Sequence, residues 1–239
     1  MIGVIIQARL GSTRTPGKTM KFIAGKPLLY YSVYRASLAR CIEKVIVATT
    51  TNPLDDTIVK WCETQGIPYY RGSEEDVLDR YYQTARNYKL DIVVRVTSDC
   101  PFVDPEIIDL LVSKLKENDA DYVSNRLEKR TWPHGLDVEV FKFSALEKAW
   151  KEAKGQRERE HVTPYIMEHP EYFRQVEIQL DRNLSNFRLT VDYPEDIEFT
   201  KVLIEKFNAE KMNWKEIVQL LEKHPELVAI NAKRIDTKL

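Results

Sequence analysis

The chain has 239 residues, a length that suits one large α/β domain or two small ones, and its 43% hydrophobic and 31% charged residues are ordinary for a globular protein. Its 36 Lys and Arg residues nearly balance its 37 Asp and Glu residues, so the composition gives no sign of a nucleic-acid-binding or membrane-binding surface. No window approaches about 18 uninterrupted apolar residues, and the apolar opening MIGVIIQ resembles a strand and not a signal peptide. We therefore expect a cytoplasmic protein without a membrane span.

The first half of the chain alternates short apolar runs with longer stretches of helical periodicity. Strands are predicted at residues 3–7, 44–49, 67–71 and 91–97, and helices at residues 28–40, 54–66 and 74–88. Runs of β-branched residues without alternation indicate strands that are buried on both faces. The sequence therefore predicts an α/β fold with a mostly parallel sheet and helices on both faces.

The second half is less regular and contains the shorter strand patterns. Helices are predicted at residues 106–118, 144–153, 157–168, 194–207 and 214–224, and strands at residues 121–124, 136–143, 173–180 and 187–192. We find no internal repeat and no Gly/Ser linker in the sequence. The prediction is a single domain over residues 1–239 with a β-rich insertion lobe at residues 121–180.

The segment GSTRTPGKT, residues 11–19, follows the first predicted strand and has the composition of a phosphate-binding loop. Five residues separate Gly11 from Gly17, whereas the Walker pattern has four, so this is not the standard NTPase loop. The preceding strand would deliver the loop to the carboxyl edge of the sheet, where open α/β sheets bind ligands. The cations Arg9, Arg14 and Lys18 then predict a triphosphate site; the alternative is a basic surface turn.

Two aspartates end predicted strands at the same edge of the sheet. Asp99 follows the strand at 91–97 in the segment TSDCPFVDP, and Asp192 ends the strand at 187–192. Carboxylates beside phosphates are the ligands that Mg²⁺ prefers in proteins. The sequence therefore predicts that Asp99 and Asp192 hold Mg²⁺ together; the alternative for Asp192 is a turn residue.

Three other acidic residues have local interpretations. Asp104 precedes Pro105, an arrangement that favours an N-cap of the following helix over a metal ligand. Glu195 and Asp196 fall in the first turn of the helix at 194–207, where the helix dipole favours acids, and the sequence indicates no further role for them.

Five segments taken together resemble the cytidylyltransferases that make CMP-activated sugar acids: QARLGSTRTPGK, VIVATTTNPLDD, TSDCPFVDP, HGLDVEVF and LTVDYPED. The likeness is greatest to the spore coat polysaccharide biosynthesis protein F group, which is related to the CMP-Kdo and CMP-sialate synthetases. It spans nearly the whole chain. The opening signature A-R-x-x-S-x-R-x-P-G-K is matched at Ala8, Arg9, Ser12, Arg14, Pro16, Gly17 and Lys18.

This resemblance implies a Rossmann-like nucleotidyltransferase sheet in which the opening loop wraps the phosphates of CTP. It assigns catalytic charge stabilisation to Arg9, Arg14 and Lys18, and the metal to Asp99 and Asp192. The segment RGSEEDVLDRYY, residues 71–82, would line the nucleotide pocket, and an ion pair between Arg80 and Asp76 on one helix face is the alternative for Arg80. The nucleotide-binding set is then Ala8, Arg9, Ser12, Arg14, Gly17, Lys18, Arg71, Gly72, Ser73, Arg80 and Ser98, with Asp79 as a further candidate.

The resemblance also implies that HGLDVEVF and the segment RERE-HVTPY face the acceptor sugar. A structural role is the alternative for the two histidines, and a solvated helix face is the alternative for the R-E-R-E run. The implied homodimer and acceptor contacts would involve residues 121–180. The acceptor-binding candidates are His134, Gly135, Asp137, Arg157 and His161, with Arg159 as a further cation.

The implied function is transfer of CMP from CTP to a sugar acid with release of pyrophosphate, for a surface or spore-coat polysaccharide. The expected partners are a nucleoside triphosphate and a sugar acid, with no nucleic acid and no membrane. A glycosyltransferase of related fold is one alternative, with Asp119-Ala120-Asp121 as its D-x-D metal motif, although this tripeptide lies between a helix and a strand start. A non-catalytic nucleotide-binding subunit is the other.

Overall fold

The computed structural model describes residues 1–12 and 14–234. Its strands are β1 (Ile2–Gln7), β2 (Phe22–Ile23), β3 (Lys26–Pro27), β4 (Lys44–Thr50), β5 (Tyr69–Gly72), β6 (Ile92–Thr97), β7 (Tyr122–Ser124), β8 (Glu139–Lys142) and β9 (Gln175–Glu177). Its α-helices are α1 (Leu28–Ser37), α2 (Asp56–Gln65), α3 (Val77–Asn87), α4 (Pro105–Glu117), α5 (Phe143–Glu152), α6 (Gln156–His161), α7 (Pro164–Glu168), α8 (Pro194–Phe207), α9 (Trp214–Lys223) and α10 (Pro225–Val228). Short 3₁₀ helices lie at Lys18–Met20, Pro53–Asp55, Ala209–Lys211 and Ala232–Arg234.

Within the described residues, seven strands form one sheet in the order β5-β4-β1-β6-β8-β7-β9. The four strands from β5 to β6 are parallel to one another, β8 is antiparallel to both of its neighbours, and β9 pairs in parallel with β7. Parallel strands need long crossover connections, and α1, α2 and α3 provide helices for them. The predicted α/β class with a mostly parallel sheet is confirmed.

Helices cover both faces of the sheet, as the side chains of β1 show. Val4 and Ile6 pack into a core with residues of α1, α2, α4 and α8, whereas Ile5 packs into a second core with α3, α5 and α7. Successive side chains of a strand point to opposite faces, so the two cores lie on opposite sides of the sheet. This double burial explains why β1 has no polar face in its sequence.

The strand predicted at residues 187–192 is wrong, since those described residues form only one isolated bridge, between Arg188 and His134. The backbone is nevertheless buried and bonded: Leu189 N–H donates to the carbonyl of His134 at 2.7 Å, and Val191 N–H donates to that of Asp99 at 2.8 Å. These partners belong to two different loops. An extended segment between loops has the same apolar pattern as a strand, so the pattern could not separate them.

The predicted helix at 157–168 is also wrong as one element, because it divides into α6 and α7 at Val162. This buried residue has φ 75° and ψ −57°, and Thr163 N–H donates to the carbonyl of His161 at 2.9 Å. That is a γ-turn of the strained kind, which a β-branched residue rarely adopts. The hairpin of β2 and β3 was not predicted, since each strand is only two residues long.

The strands of residues 121–180 extend the main sheet, and the same segment contributes α5, α6 and α7. The predicted strands at 136–143 and 173–180 are shorter in the structure, where they are β8 and β9. The separate role of residues 121–180 in acceptor binding and dimerisation stays a prediction. None of the helices in the described part of the chain combines the length and apolarity needed to cross a membrane.

Candidate active site

The loop after β1 folds back on itself. The carbonyl of Leu10 accepts from the N–H groups of Ser12, at 2.8 Å, and Gly17, at 3.1 Å, and Leu10 N–H donates to Asp55 Oδ1 at 2.8 Å. Gly17 has φ 71° and caps the 3₁₀ helix Lys18–Met20, a conformation that glycine adopts without strain. The turn thereby directs the Lys18 side chain beneath the loop and towards the sheet.

Lys18 lies between the two predicted metal ligands. Its Nζ donates to Asp99 Oδ2 and to Asp192 Oδ1, each at 2.9 Å, and to the carbonyl of Val191 at 2.7 Å. The two carboxylate oxygens therefore lie no further apart than twice 2.9 Å. The structure thus brings together Lys18, Asp99 and Asp192, which are far apart in the sequence.

In this cluster, the neighbouring charges shift the pKa values of Lys18 and Asp99 more than burial does. Burial alone would lower the pKa of Lys18, but Asp99 and Asp192 raise it above its ordinary value. Burial alone would raise the pKa of Asp99, but the ammonium of Lys18 and a hydrogen bond from Thr97 hold it below the ordinary value. Lys18 and Asp99 are therefore both ionised at neutral pH.

Other contacts join the loop to Asp192. Arg14 lies 3.2 Å from Asp192 Oδ1, and the Thr15 hydroxyl donates to the Asp192 carbonyl at 2.6 Å. The Asp192 side chain is buried, while that of Asp99 is about a quarter exposed. The loop and both aspartates consequently form one ionic cluster at the carboxyl edge of β1 and β6.

The cluster fits a divalent cation. Groups of three or more His, Cys, Asp or Glu side chains that could hold a metal are absent from the described residues, so the protein donors would be the two carboxylates. Mg²⁺ needs no more than one or two carboxylates when phosphates and water complete its shell. The two carboxylates already share one cation, the Lys18 ammonium, so both point towards one position.

Two cavities meet at this cluster. The larger, of about 880 Å³, lies beside the loop and α3, and the smaller, of about 580 Å³, lies beside β6, β8 and the segment 126–130. Both are lined by Arg14, Thr97, Asp99, His161 and Asp192. Two ligands bound side by side would therefore meet at Asp99 and Asp192.

The larger cavity contains most of the predicted nucleotide-binding residues. It is lined by Ala8, Arg9, Ser12, Arg14, Lys18, Arg80 and Ser98. Of the other predicted residues, Gly17, Arg71, Gly72 and Ser73 line neither cavity as the described residues define them. The Arg71 side chain instead donates to the carbonyls of Thr50 and Asn52 and pairs with Asp56.

Arg80 does not form the alternative ion pair with Asp76 in the described structure. Its Nη1 donates to the Ser73 carbonyl at 2.6 Å, and Asp76 pairs with Arg159 of α6 instead. Asp76 also caps α3, since its Oδ1 accepts from Asp79 N–H at 2.8 Å. Asp79 accepts from Trp150, a contact outside both cavities.

The smaller cavity is lined by three of the predicted acceptor-binding residues, Asp137, Arg157 and His161. Asp137 is held by Arg130 through two bonds of 2.7 and 3.1 Å, and Arg157 pairs with Glu168. Sequence reasoning missed the cations Arg126, Lys129 and Arg130, which line the same cavity. The run RLEKR, residues 126–130, has three cations in five residues and was the available signal.

His134 and Gly135 lie outside the lining of both cavities, so their predicted contact with an acceptor has no support in the geometry. His134 N–H donates to the Phe187 carbonyl at 2.9 Å, and the His134 carbonyl accepts from Leu189. Gly135 has φ 93° and packs against the backbone of Leu189 and Thr190. Both residues instead support the extended segment that leads to Asp192.

We expect His134 to make the protein sensitive to acid. Burial, together with the neighbouring charges of Arg130, Arg188 and Arg126, lowers its pKa to about 4, although Asp137 opposes this. The unfolded state binds the proton at a pKa near 6.5, so stability falls as pH decreases from about 7 to 4. The loss approaches about 2–3 kcal/mol at pH 4.

Replacement His134→Gln should remove this part of the pH dependence. Urea unfolding at pH 7.5 and pH 4.5 measures it, with His224→Gln as the control, since His224 is an exposed residue paired with Glu226 near the C-terminus. A wild-type protein and a His134→Gln variant that lose the same stability between the two pH values would contradict the expectation.

The tripeptide Asp119-Ala120-Asp121, which was the possible metal motif of a glycosyltransferase, lies outside the candidate site. Asp119 and Asp121 both pair with Lys142, at 2.8 and 3.4 Å, and neither lines either of the two cavities. Asp104 is an N-cap, as predicted: its Oδ1 accepts from Glu106 N–H at 2.9 Å.

Solved structures resemble this arrangement over most of the chain. A cytidylyltransferase from Leptospira borgpetersenii has a TM-score of 0.90 and 34% identity, covering 95% of this chain and 96% of that chain. CMP:2-keto-3-deoxy-manno-octonic acid synthetase complexed with CTP has a TM-score of 0.65 and 16% identity, covering 86% and 98%, a likeness that shows the fold alone. The fold is that of the Rossmann-like nucleotidyltransferases.

Sequence comparison defines the family. A model of the cytidylyltransferase family matches residues 3–230, and an uncharacterized protein of Methanocaldococcus jannaschii is 38% identical, covering 95% of this chain and 93% of that protein. Spore coat polysaccharide biosynthesis protein SpsF of Bacillus subtilis is 33% identical, with 93% and 94% covered. 3-Deoxy-manno-octulosonate cytidylyltransferase of Geobacter sulfurreducens is 36% identical over 121 residues, about half of each chain. The chain belongs to the cytidylyltransferase family, which confirms the resemblance of its motifs.

Proposed function

We propose that this cytidylyltransferase activates a sugar acid with CTP, giving a CMP-sugar and pyrophosphate for a surface polysaccharide. The observation that carries the proposal is the junction of two cavities at Asp99 and Asp192, with Lys18 between the two carboxylates. The likeness to SpsF and to the octulosonate cytidylyltransferases supports the sugar acid.

The larger cavity would bind the nucleotide. Its loop cations, Arg9, Arg14 and Lys18, would neutralise the triphosphate and the leaving pyrophosphate, since transfer at phosphorus depends on positioning and charge stabilisation. The acceptor hydroxyl forms a bond to the α-phosphorus while the bond to the oxygen bridging to the β-phosphate breaks. The hydroxyl proton is released, and pyrophosphate leaves.

Asp99 and Asp192 would hold Mg²⁺. When bound, the ion would polarise the α-phosphate and favour ionisation of the attacking hydroxyl. The residues of the chain orient both carboxylates: Lys18 contacts each of them, and Arg14 contacts Asp192. The Lys18 ammonium has three donors, so it can donate to a phosphate and still contact a carboxylate.

The smaller cavity would bind the acceptor. Arg126 is about half exposed and lies 3.9 Å from Asp137, and Lys129 and Arg157 also line the cavity, so an acidic group has cations to approach. Arg130 and Arg157 are already paired, with Asp137 and Glu168, and are less available. This distribution of charge favours a sugar acid over a neutral sugar.

A pyrophosphate-release screen tests the proposal. Each of the four ribonucleoside triphosphates is mixed with the protein, Mg²⁺ and a panel of sugar acids, neutral sugars and sugar phosphates, with EDTA as the control for the metal. We expect release with CTP and a sugar acid, and none in EDTA. Release with neutral sugars alone would contradict the acceptor class, and full activity in EDTA would contradict the metal.

Adding a preformed CMP-sugar to the screen separates the alternatives. A glycosyltransferase would release no pyrophosphate and would consume a preformed CMP-sugar, whereas a non-catalytic subunit would bind CTP without turnover. We retain the homodimer and the cytoplasmic location as proposals, and light scattering of the purified chain tests the first of them.

A further inference from the structure

Arg188 is a buried cation that contacts a residue of the candidate active site. Its Nε donates to Asp196 Oδ1 at 2.8 Å, and its Nη2 donates to Asp196 Oδ2 at 3.0 Å and to Asp192 Oδ2 at 3.1 Å. The side chain is fully buried. One guanidinium therefore joins a metal-ligand candidate to a carboxylate in the first turn of α8.

Asp196 completes the arrangement. Its Oδ2 also accepts from the N–H groups of Asp192, at 2.9 Å, and Tyr193, at 3.0 Å. Asn231, near the end of the described chain, donates through Nδ2 to Asp196 Oδ1 at 2.9 Å and to the Arg188 carbonyl at 3.2 Å. The sequence indicated only a helix-dipole role for Asp196, but the structure shows that it also holds the Asp192 backbone.

The two oxygens of Asp192 have different partners as a result. Oδ2 accepts from Arg188, on the buried side, while Oδ1 faces Lys18 and Arg14, two of the three cations assigned to the nucleotide phosphates. A carboxylate with one oxygen tied in this way cannot rotate about its χ2 angle without breaking a charge-assisted bond in the interior. Partners of this kind orient metal ligands in other proteins.

We propose that Arg188 is a positioning residue that fixes the Asp192 carboxylate with Oδ1 towards the nucleotide, and that Asp196 and Asn231 hold Arg188 in place. The proposal rests on the function proposed above, in which Asp192 contacts the magnesium–nucleotide. Arg188 itself lines neither cavity of the described chain, so its effect would pass entirely through Asp192.

The chain offers a matched control. Arg35 is equally buried, pairs with the N-cap Asp104 at 3.0 Å and donates to the carbonyls of Val103, Glu210 and Met212, none of which lines a cavity. Arg188→Met and Arg35→Met each remove a buried guanidinium from a carboxylate and should lower the melting temperature by a similar amount. Only Arg188→Met should change the orientation of the Asp192 carboxylate.

The experiment measures three quantities on the full chain. We expect kcat of Arg188→Met to fall about 10- to 100-fold with little change in KM for CTP, and Arg35→Met to keep wild-type values. Arg188→Lys should recover part of the lost kcat. The third readout needs no turnover: Mn²⁺ affinity in the presence of CTP, measured by electron paramagnetic resonance, should fall about 10-fold in Arg188→Met only.

The outcomes separate the two proposals. A folded Arg188→Met whose kcat and Mn²⁺ affinity match those of Arg35→Met would overturn the positioning role. If Arg188→Met does not fold, Asn231→Ala decides, with an expected loss of about 3- to 10-fold and no loss as the contrary result. If the wild type releases no pyrophosphate, the proposed function fails, and the Mn²⁺ measurement still tests whether Arg188 positions Asp192.

Discussion

Replacing Lys18 by alanine is expected to lower kcat by about 10²- to 10³-fold, which corresponds to about 3–4 kcal/mol of transition-state stabilisation. Lys18 is the cation that contacts both site aspartates in the structure, and it lines the larger cavity, where we propose that the nucleotide binds. Its charge would be held in place before the pyrophosphate develops its own. Such a preorganised group contributes more than the same charge on a mobile side chain.

The control for this variant is Lys21→Ala. Lys21 follows the same 3₁₀ helix but is exposed to solvent, so its removal should leave kcat within about twofold of the wild type. Steady-state kinetics with CTP and the acceptor found in the screen measure both, with thermal unfolding in parallel because Lys18 is buried. A folded Lys18→Ala variant with nearly full turnover would show that the loop does not bind the phosphates.

Replacing Gly135 by alanine is expected to destabilise the fold by about 3–5 kcal/mol. Two effects combine here. The backbone has φ 93°, which residues with a Cβ rarely adopt, and a Cβ would lie 2.6 Å from the backbone C of Leu189 and from the backbone N of Thr190. Because backbone atoms cannot turn aside as a flexible side chain can, the segment 189–192 must shift, and Asp192 must shift with it.

Gly25→Ala is the matched control for this prediction. Gly25 has φ 78°, and no described atom lies within 4 Å of the position that a Cβ would take there, so its replacement has only the conformational cost of about 1–2 kcal/mol. Urea unfolding of both variants gives the difference, which isolates the overlap with Leu189 and Thr190. Equal destabilisation by the two substitutions would mean that the segment moves aside freely.

Much of the fold was predictable because the responsible signals are local. The apolar runs of β1, β4 and β6 lack the regular apolar–polar alternation of a half-exposed strand, and the helical periodicity of α1 to α4 lies between and beyond them. The N-cap role of Asp104 followed from the proline after it. Two predictions were wrong. Residues 187–192 are buried and extended but do not pair as a strand of the sheet, and the predicted helix at 157–168 is interrupted at Val162, a β-branched residue with a positive φ that such residues rarely adopt.

The candidate site was predicted only in part, for a related reason. The loop cations and strand-end aspartates could be found because they lie in short recognisable segments, and the family of the chain followed from those segments. Arg188 and Asn231 have no such signal: a lone arginine in an apolar stretch and a lone asparagine near the end of the chain are ordinary in any sequence. Their roles appear only through partners up to 43 residues away.

The sequence alone determined the alternation of strands and helices and the chemical groups available at the carboxyl edge of the sheet. Both depend on the order of neighbouring residues, and that order is visible in the sequence without a structure. Only the tertiary structure decided that Lys18 sits between Asp99 and Asp192 and that Arg188 holds the second oxygen of Asp192. These contacts join residues up to 174 positions apart, and such distances are set by packing, not by local preference.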